Sequence, residues 1–222
     1  RHLGRIKNRP DIALIELVAN ALDAGADTVL ITWPKDFYYE NGENRIIIED
    51  NGLGLSEEEF LDRWTTFYYD RITNQGEDVV FPKGNNTSNR KPYGRKGIGR
   101  HSTLCFANEY FVTTVKENTN IRVSYKVSRD TASNKNPLKF TLLGREEVEE
   151  GLHGTKITIN VVKNLLPITN VEQVLIDRWL HDPSVTLKLN GDTVTLQKLD
   201  GGETEVVSTA LGDVSIIFYK SD

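Results

Sequence analysis

Methionine is absent from this sequence, cysteine occurs once, and no apolar run approaches the ~18 residues of a membrane span. The single Cys105 excludes an internal disulfide. It lies in the apolar stretch Leu104-Cys105-Phe106-Ala107 and reads as a buried thiol, which suits a reducing, cytoplasmic setting. No cationic segment followed by an apolar one opens the chain, so there is no signal-peptide pattern, and no membrane partner is expected. With Arg1 first and no Met, the chain reads as part of a longer protein. The histidines at 2, 101, 153 and 181 show no metal-ligand spacing among themselves or with Cys105, which argues against a zinc site. Positive charge is also in deficit. A net charge of -5 and a pI near 5.5 argue against broad nucleic-acid binding by this domain itself. There is no repeat and no low-complexity tract.

What is present fits one globular domain, or one domain plus part of another, at 222 residues, 38% hydrophobic and 27% charged. Pro10 to Ala24 predicts a helix with Pro near its start and Gly25 past its end. Thr28 to Trp33 and Arg45 to Glu49 predict strands, separated by a turn at Asn41-Gly42. Ser56 is placed to cap a helix that opens with Glu57-Glu58-Glu59. Asp70 to Tyr93 is polar and aperiodic, and a loop of that length inside a compact domain is functional or disordered. A helix is expected from Arg100 to Ala107. Strands are expected at Tyr110–Val115, Ile121–Val127, Phe140–Leu143 and Thr155–Val162, then a helix over Val171–Leu180. A hairpin turning at Asn190-Gly191 and further strands in Glu205–Tyr219 follow. This order predicts an α+β fold: a two-layer sandwich with a mixed, mostly antiparallel sheet and helices on one face.

Helix 10–24 carries the most informative pattern. Glu16, Asn20 and Asp23 fall on one stripe, beside an apolar stripe of Ile15, Val18, Ala19 and Leu22. The polar stripe therefore runs along the margin of the core. A carboxylate and an amide held there can serve as a base and a metal ligand; the alternative is a solvated helix face. Asp50-Asn51-Gly52-Leu53-Gly54 follows a buried strand. Asp50 can accept from an exocyclic amine while Gly52 and Gly54 admit a flat ring, or the segment is an ordinary strand-to-helix turn. Gly94-Arg95-Lys96-Gly97-Ile98-Gly99 leads into a helix, with Arg100 following. Its N–H groups and cations suit phosphate, against the alternative of a flexible basic turn. The spacing is neither a P-loop nor the dinucleotide fingerprint. Thr155, after Gly154, begins a strand and can bond a base or a water. Trp33, Trp64 and Trp179 read as core or domain-edge anchors. Phe67-Tyr68-Tyr69 reads as packing for a mobile segment, and His101 as a structural histidine.

Taken in order, these motifs are Glu-x-x-x-Asn-Ala-x-Asp-Ala, Asp-x-Gly-x-Gly, a long polar loop, Gly-x-x-Gly-x-Gly, and Gly-Thr on a strand. The set resembles the GHKL ATPases: gyrase B, the heat-shock chaperone of the same ATP fold, histidine kinases, MutL and MORC proteins. The resemblance spans roughly residues 5–180 and implies a Bergerat-type ATP-binding fold with ATP and Mg²⁺ as ligands. It implies Glu16 as general base, Asn20 as Mg²⁺ ligand and Asp50 as adenine acceptor. Gly52 and Gly54 would pack against base and ribose, and Thr155 would join the adenine–water network. Gly94, Arg95, Lys96, Gly97, Ile98 and Gly99 would form the phosphate cradle, with Asp23 supporting the adenine pocket.

Residues 1–183 would then be the ATPase domain, with its lid at about 55–93. Residues 184–222 would add strands or begin a transducer-like domain. Glu16 implies the hydrolysing branch, MORC-like or chaperone-like. An ATP-sensing module with little hydrolysis and histidine-kinase-type phosphotransfer stay open as alternatives. ATP-dependent homodimerisation of the full-length protein, with a DNA or protein client bound through regions outside this chain, is the implied use.

Overall fold

The computed structural model describes residues 8–35, 44–66, 76–85, 90–94, 99–130, 137–179, 182–195, 203–209 and 212–218. The Asn41-Gly42 turn, Phe67-Tyr68-Tyr69 and His181 lie outside them. Helix α1 spans Pro10–Asp23, with Pro10 in its first turn. Strands β1 (Thr28–Thr32) and β2 (Arg45–Asp50) precede α2 (Glu57–Thr65). A 3-10 helix at Gly99–Cys105 is followed by β3 (Glu109–Val115), β4 (Ile121–Arg129), β5 (Leu138–Glu147) and β6 (Gly154–Asn160). The chain continues through α3 (Ile168–Trp179), β7 (Thr186–Leu189), β8 (Asp192–Thr193), β9 (Glu203–Thr209) and β10 (Gly212–Phe218).

The first eight strands form one sheet in the order β5-β4-β3-β6-β2-β1-β7-β8, while β9 and β10 pair with each other. Every pairing is antiparallel except that of β1 with β7. This is the α+β sandwich that the sequence predicts. Residues after 183 begin by extending the same sheet, through β7 and its Asn190-Gly191 turn. Both turn residues have positive φ, at 52° and 95°, as a tight hairpin requires.

Register explains the core. Leu189, Ile31, Ile48, Ile157, Val112 and Tyr125 lie side by side across six strands and are all buried. Helix α1 lays Leu14, Leu17, Val18, Ala21 and Leu22 on that face. α2 is held by its capping box, in which Ser56 Oγ accepts from Glu59 N and Glu59 Oε2 accepts from Ser56 N. Its Phe60 stacks on Trp64 and on Tyr125, with ring centroids 4.8 and 4.7 Å apart. Trp33, Trp64 and Trp179 are all buried, as is Cys105.

Two elements differ from the sequence expectation. Residues 99–105 are a 3-10 helix rather than an α-helix extending to Ala107. All seven are buried, so no solvent-facing stripe selects the wider α turn, and the short run takes the tighter 3-10 form. β5 runs from 138 to 147, well beyond Phe140–Leu143. Most of it is an exposed edge strand, so the buried/polar alternation that marks an inner strand is missing there.

Phe60→Ala should destabilise the fold by about 3–5 kcal/mol, while Leu143→Ala, at an exposed edge position, should cost about 0.5 kcal/mol or less. Urea unfolding of both variants measures this.

Candidate functional site

The inner face of the sheet carries a polar row near its centre. Two residues along from the Ile48–Ile157–Val112 row, the register aligns Asp50, Thr155 and Thr114 on adjacent strands. Alternation places all three on the helix-facing side. Leu55 N donates to Thr114 Oγ1 at 2.9 Å, and Thr114 Oγ1 donates to Gly154 O at 3.1 Å. The Thr114 and Thr155 hydroxyls lie 3.1 Å apart. Asp50 Oδ1 accepts from Gly52 N at 2.9 Å and Thr155 N at 3.2 Å. No described residue donates to Asp50 Oδ2. Burial, opposed by these two N–H donors, pushes the Asp50 carboxyl up to about 7.

Above this row lies a cleft. Its floor is Ile48, Asp50, Thr155 and Ile157, and one wall is Leu17, Asn20, Ala21, Asp23 and Ala24 of α1 and its end. Gly54, Leu55, Arg63, Trp64, Gly94 and Arg100 complete it. Gly54 has φ +60°, and a Cβ there would collide with the Val115 carbonyl, so only glycine fits this turn. Gly52 packs against the Ala24 carbonyl beside the cleft.

Asn20, Asp23, Asp50, Gly54, Gly94 and Thr155 are brought together here. Glu16, one turn before Asn20, is half-buried at Gly99, where an added Cβ would run into its carboxylate. Burial and then the neighbouring Asp23 charge raise the Glu16 carboxyl above its usual range, the direction that suits a base acting near neutrality. The Asn20 Nδ2 atom is buried without a hydrogen-bond partner. Asp23 accepts from Tyr93 N at 2.7 Å and Gly94 N at 2.8 Å, so it anchors the entry to the glycine cluster. Arg95, Lys96, Gly97 and Ile98 lie outside the described residues.

Several residues of the cleft lie outside the sequence motifs. Arg63 and Trp64 enter the cleft from α2, and the Arg100 guanidinium lies 5.6 Å over the Trp64 ring. Thr114 was legible in principle, as a polar residue at a buried strand position. His153 Nδ1, 2.8 Å from Gly52 O, ties the Gly-Thr loop to the Asp50 loop and carried no sequence signal. His101 is buried, with Nδ1 3.1 Å from Tyr110 Oη. Burial, and secondarily Arg100, pushes its pKa down to about 3, so it is a neutral structural histidine.

Residues 8–162 match the family described as Histidine kinase-, DNA gyrase B-, and HSP90-like ATPase. The chain belongs to this family. It is a GHKL ATPase domain. Two curated relatives are the DNA mismatch repair protein MutL of Persephonella marina and of Thermotoga maritima. The first is 39% identical over 67 residues, 28% of this chain and 12% of the relative. The second is 39% identical over 59 residues, 26% of this chain and 10% of the relative. The matched stretch is thus about a tenth of either MutL. The ATPase region of Saccharomyces cerevisiae topoisomerase II superposes with a TM-score of 0.55 at 16% identity. That match covers 84% of this chain and 49% of the other, and it shows a shared fold. No described helix is long and apolar enough to cross a membrane.

Asp50 sets a pH dependence of stability. Its native pKa of about 7 lies above the ordinary 3.8, so between those values the folded state holds a proton that the unfolded chain has released. Its contribution to stability therefore falls as pH rises from about 4 to about 7 and is constant above. Asp50→Asn removes this trend. The variant should gain stability relative to wild type across that window in urea titrations, whereas a pH-independent difference would contradict the assignment.

Proposed function

We propose that this domain hydrolyses ATP with Mg²⁺ and that nucleotide turnover gates association of two full-length chains. One observation carries the reading. A single cleft joins the Asp50–Thr155–Thr114 row to the margin of α1, where Glu16 lies at Gly99 and Asn20 has an unpartnered amide. The row suits adenine. Asp50 Oδ2 can accept from the exocyclic amine, and the Thr155 hydroxyl can hold a ring nitrogen directly or through water. Gly94 to Gly99, with Arg95 and Lys96 between, suits the phosphates.

The residues fit a magnesium ion held mainly by the nucleotide. Among the described residues no group of three His, Cys, Asp or Glu side chains could hold a metal. Mg²⁺ commonly takes one or two protein ligands beside phosphate and water. Asn20, turned about its Cβ–Cγ bond, offers Oδ1 for that role. When bound, the ion supplies charge neutralisation across the phosphates.

The chain's own groups do the rest. Glu16 accepts a proton from the water that attacks the γ-phosphorus. As the new P–O bond forms, the bond from phosphorus to the β–γ bridging oxygen breaks, releasing ADP and phosphate. In this reading the glycine cluster supplies backbone N–H donors for the charge that develops on the phosphoryl oxygens. Glu16→Gln should leave ATP affinity within about threefold and lower turnover about 10²-fold or more. Unchanged turnover would remove Glu16 from the base role, and no turnover in the wild-type full-length protein would favour an ATP-sensing module.

The MutL relatives are named for DNA mismatch repair, and a client, DNA or protein, is assigned to regions outside this chain. Association driven by nucleotide is tested on the full-length protein. Sedimentation velocity should show a dimer with a non-hydrolysable ATP analogue and Mg²⁺, and a monomer with neither. The same sedimentation coefficient in both conditions would contradict the clamp reading.

A further inference from the structure

Helix α1 ends against a buried cation that the cleft itself does not contain. Arg90 is 6% exposed, and its Nη2 donates to Leu22 O at 2.6 Å and to Ala26 O at 2.7 Å. Leu22 O belongs to the last turn of α1, whose negative end favours a guanidinium, and Ala26 O lies three residues past Asp23, where the helix ends. Phe81 lies beneath the guanidinium, with 4.9 Å from Cζ to the ring centroid, and Val79 N donates to Arg90 O at 3.0 Å. A few residues on, Tyr93 N and Gly94 N donate to the Asp23 carboxylate. The segment 90–94 is therefore fastened twice to the same last turn of α1, once through a side chain and once through its backbone. Gly94 opens the glycine cluster, and the preceding turn of α1 carries Asn20 and Glu16.

No described residue accepts from Arg90 Nε or Nη1, both of which are buried. A buried cation with unmet donors is an expensive way to stabilise a fold, and an apolar side chain of similar length often serves stability equally well. What the guanidinium adds is placement: one nitrogen bridges two carbonyls and fixes where segment 90–94 lies against the end of α1. We propose that Arg90 is a positioning residue for phosphate recognition, fixing Gly94, at the start of the glycine cluster, against the helix that carries Glu16 and Asn20. The proposal rests on the reading of the cleft as an ATP site.

Its signature is selective. The polar row assigned to adenine is built on β2, β3 and β6, whereas the hydrogen bonds and ring contact of Arg90 go to Leu22, Ala26, Val79 and Phe81, so the phosphate end should suffer most. The test measures affinities for adenosine and for Mg·ATP by calorimetry, on wild type, R90M and R90K. In R90M, adenosine affinity should stay within about twofold, while the advantage of ATP over adenosine falls about tenfold or more. R90K keeps a cation on a shorter stem, and its ATP advantage should fall about threefold. A wild-type ratio in R90M, or parallel loss of both ligands, overturns the proposal. If R90M shows no cooperative melt, R90K decides by the same ratio: a threefold fall supports the proposal and a wild-type ratio overturns it. A wild-type protein for which triphosphate adds nothing to adenosine affinity would contradict the ATP reading itself, independently of Arg90.

Discussion

The sheet can carry Asp50, Thr155 and Thr114 on its inner face only if their polar groups are satisfied without water-filled packing defects. Backbone donors and acceptors beside the row achieve this. Thr155 N and Gly52 N turn to Asp50 Oδ1, and Thr114 bridges Leu55 N and Gly154 O. One carboxylate oxygen then remains facing the cleft. Because the neighbouring row of Ile48, Ile157 and Val112 is apolar and buried, that oxygen sits in a medium where burial dominates its titration. The proposed adenine recognition and the raised Asp50 pKa share this origin.

Helix α1 turns the row into a site. Its apolar face is committed to the core by Leu14, Leu17, Val18 and Leu22, which fixes its rotation. Glu16, Asn20 and Asp23 then have no choice of direction: they lie along the edge that the cleft exposes. The three residues divide the work. Glu16 is placed at Gly99, Asn20 faces the cleft, and Asp23 holds the N–H groups of Tyr93 and Gly94. α2 closes the cleft from the far side. It is tied to the sheet through Glu57, which accepts from Tyr125 Oη at 2.6 Å and pairs with Arg145. Glu59 accepts from Lys116 Nζ at 2.7 Å. The acidic first turn therefore complements the helix dipole and also forms tertiary ion pairs.

Local signals carried much of this. The i, i+4, i+7 stripe of α1, the Ser56 cap before an acidic first turn, the Asn190-Gly191 hairpin and the Ile46–Ile48 run each encode their structure within a few residues. What stayed illegible depends on partners distant in sequence. Arg90 lies in a polar aperiodic stretch, where nothing marks one arginine for burial beneath α1. His153 gains its role from Gly52, far along the chain. β7 pairs parallel to β1, and no turn or spacing announces a pairing closed by the whole intervening domain. Arg63 reads as one more charge on an amphipathic helix until the sheet shows which side of α2 faces the cleft. The Asp23 carboxylate was legible as part of the polar stripe, but its acceptors' partners, two backbone N–H groups, leave no trace in side-chain chemistry.

A crystal structure of the protein with Mg²⁺ and a non-hydrolysable ATP analogue tests directly whether one cleft holds adenine at Asp50 and the phosphates at the α1 margin. The expected complex has the adenine amine on Asp50 Oδ2, Asn20 Oδ1 about 2.1 Å from the metal, and the terminal phosphate beside Glu16 and Gly99. A nucleotide bound with its base away from Asp50, or a metal held without Asn20, would contradict it.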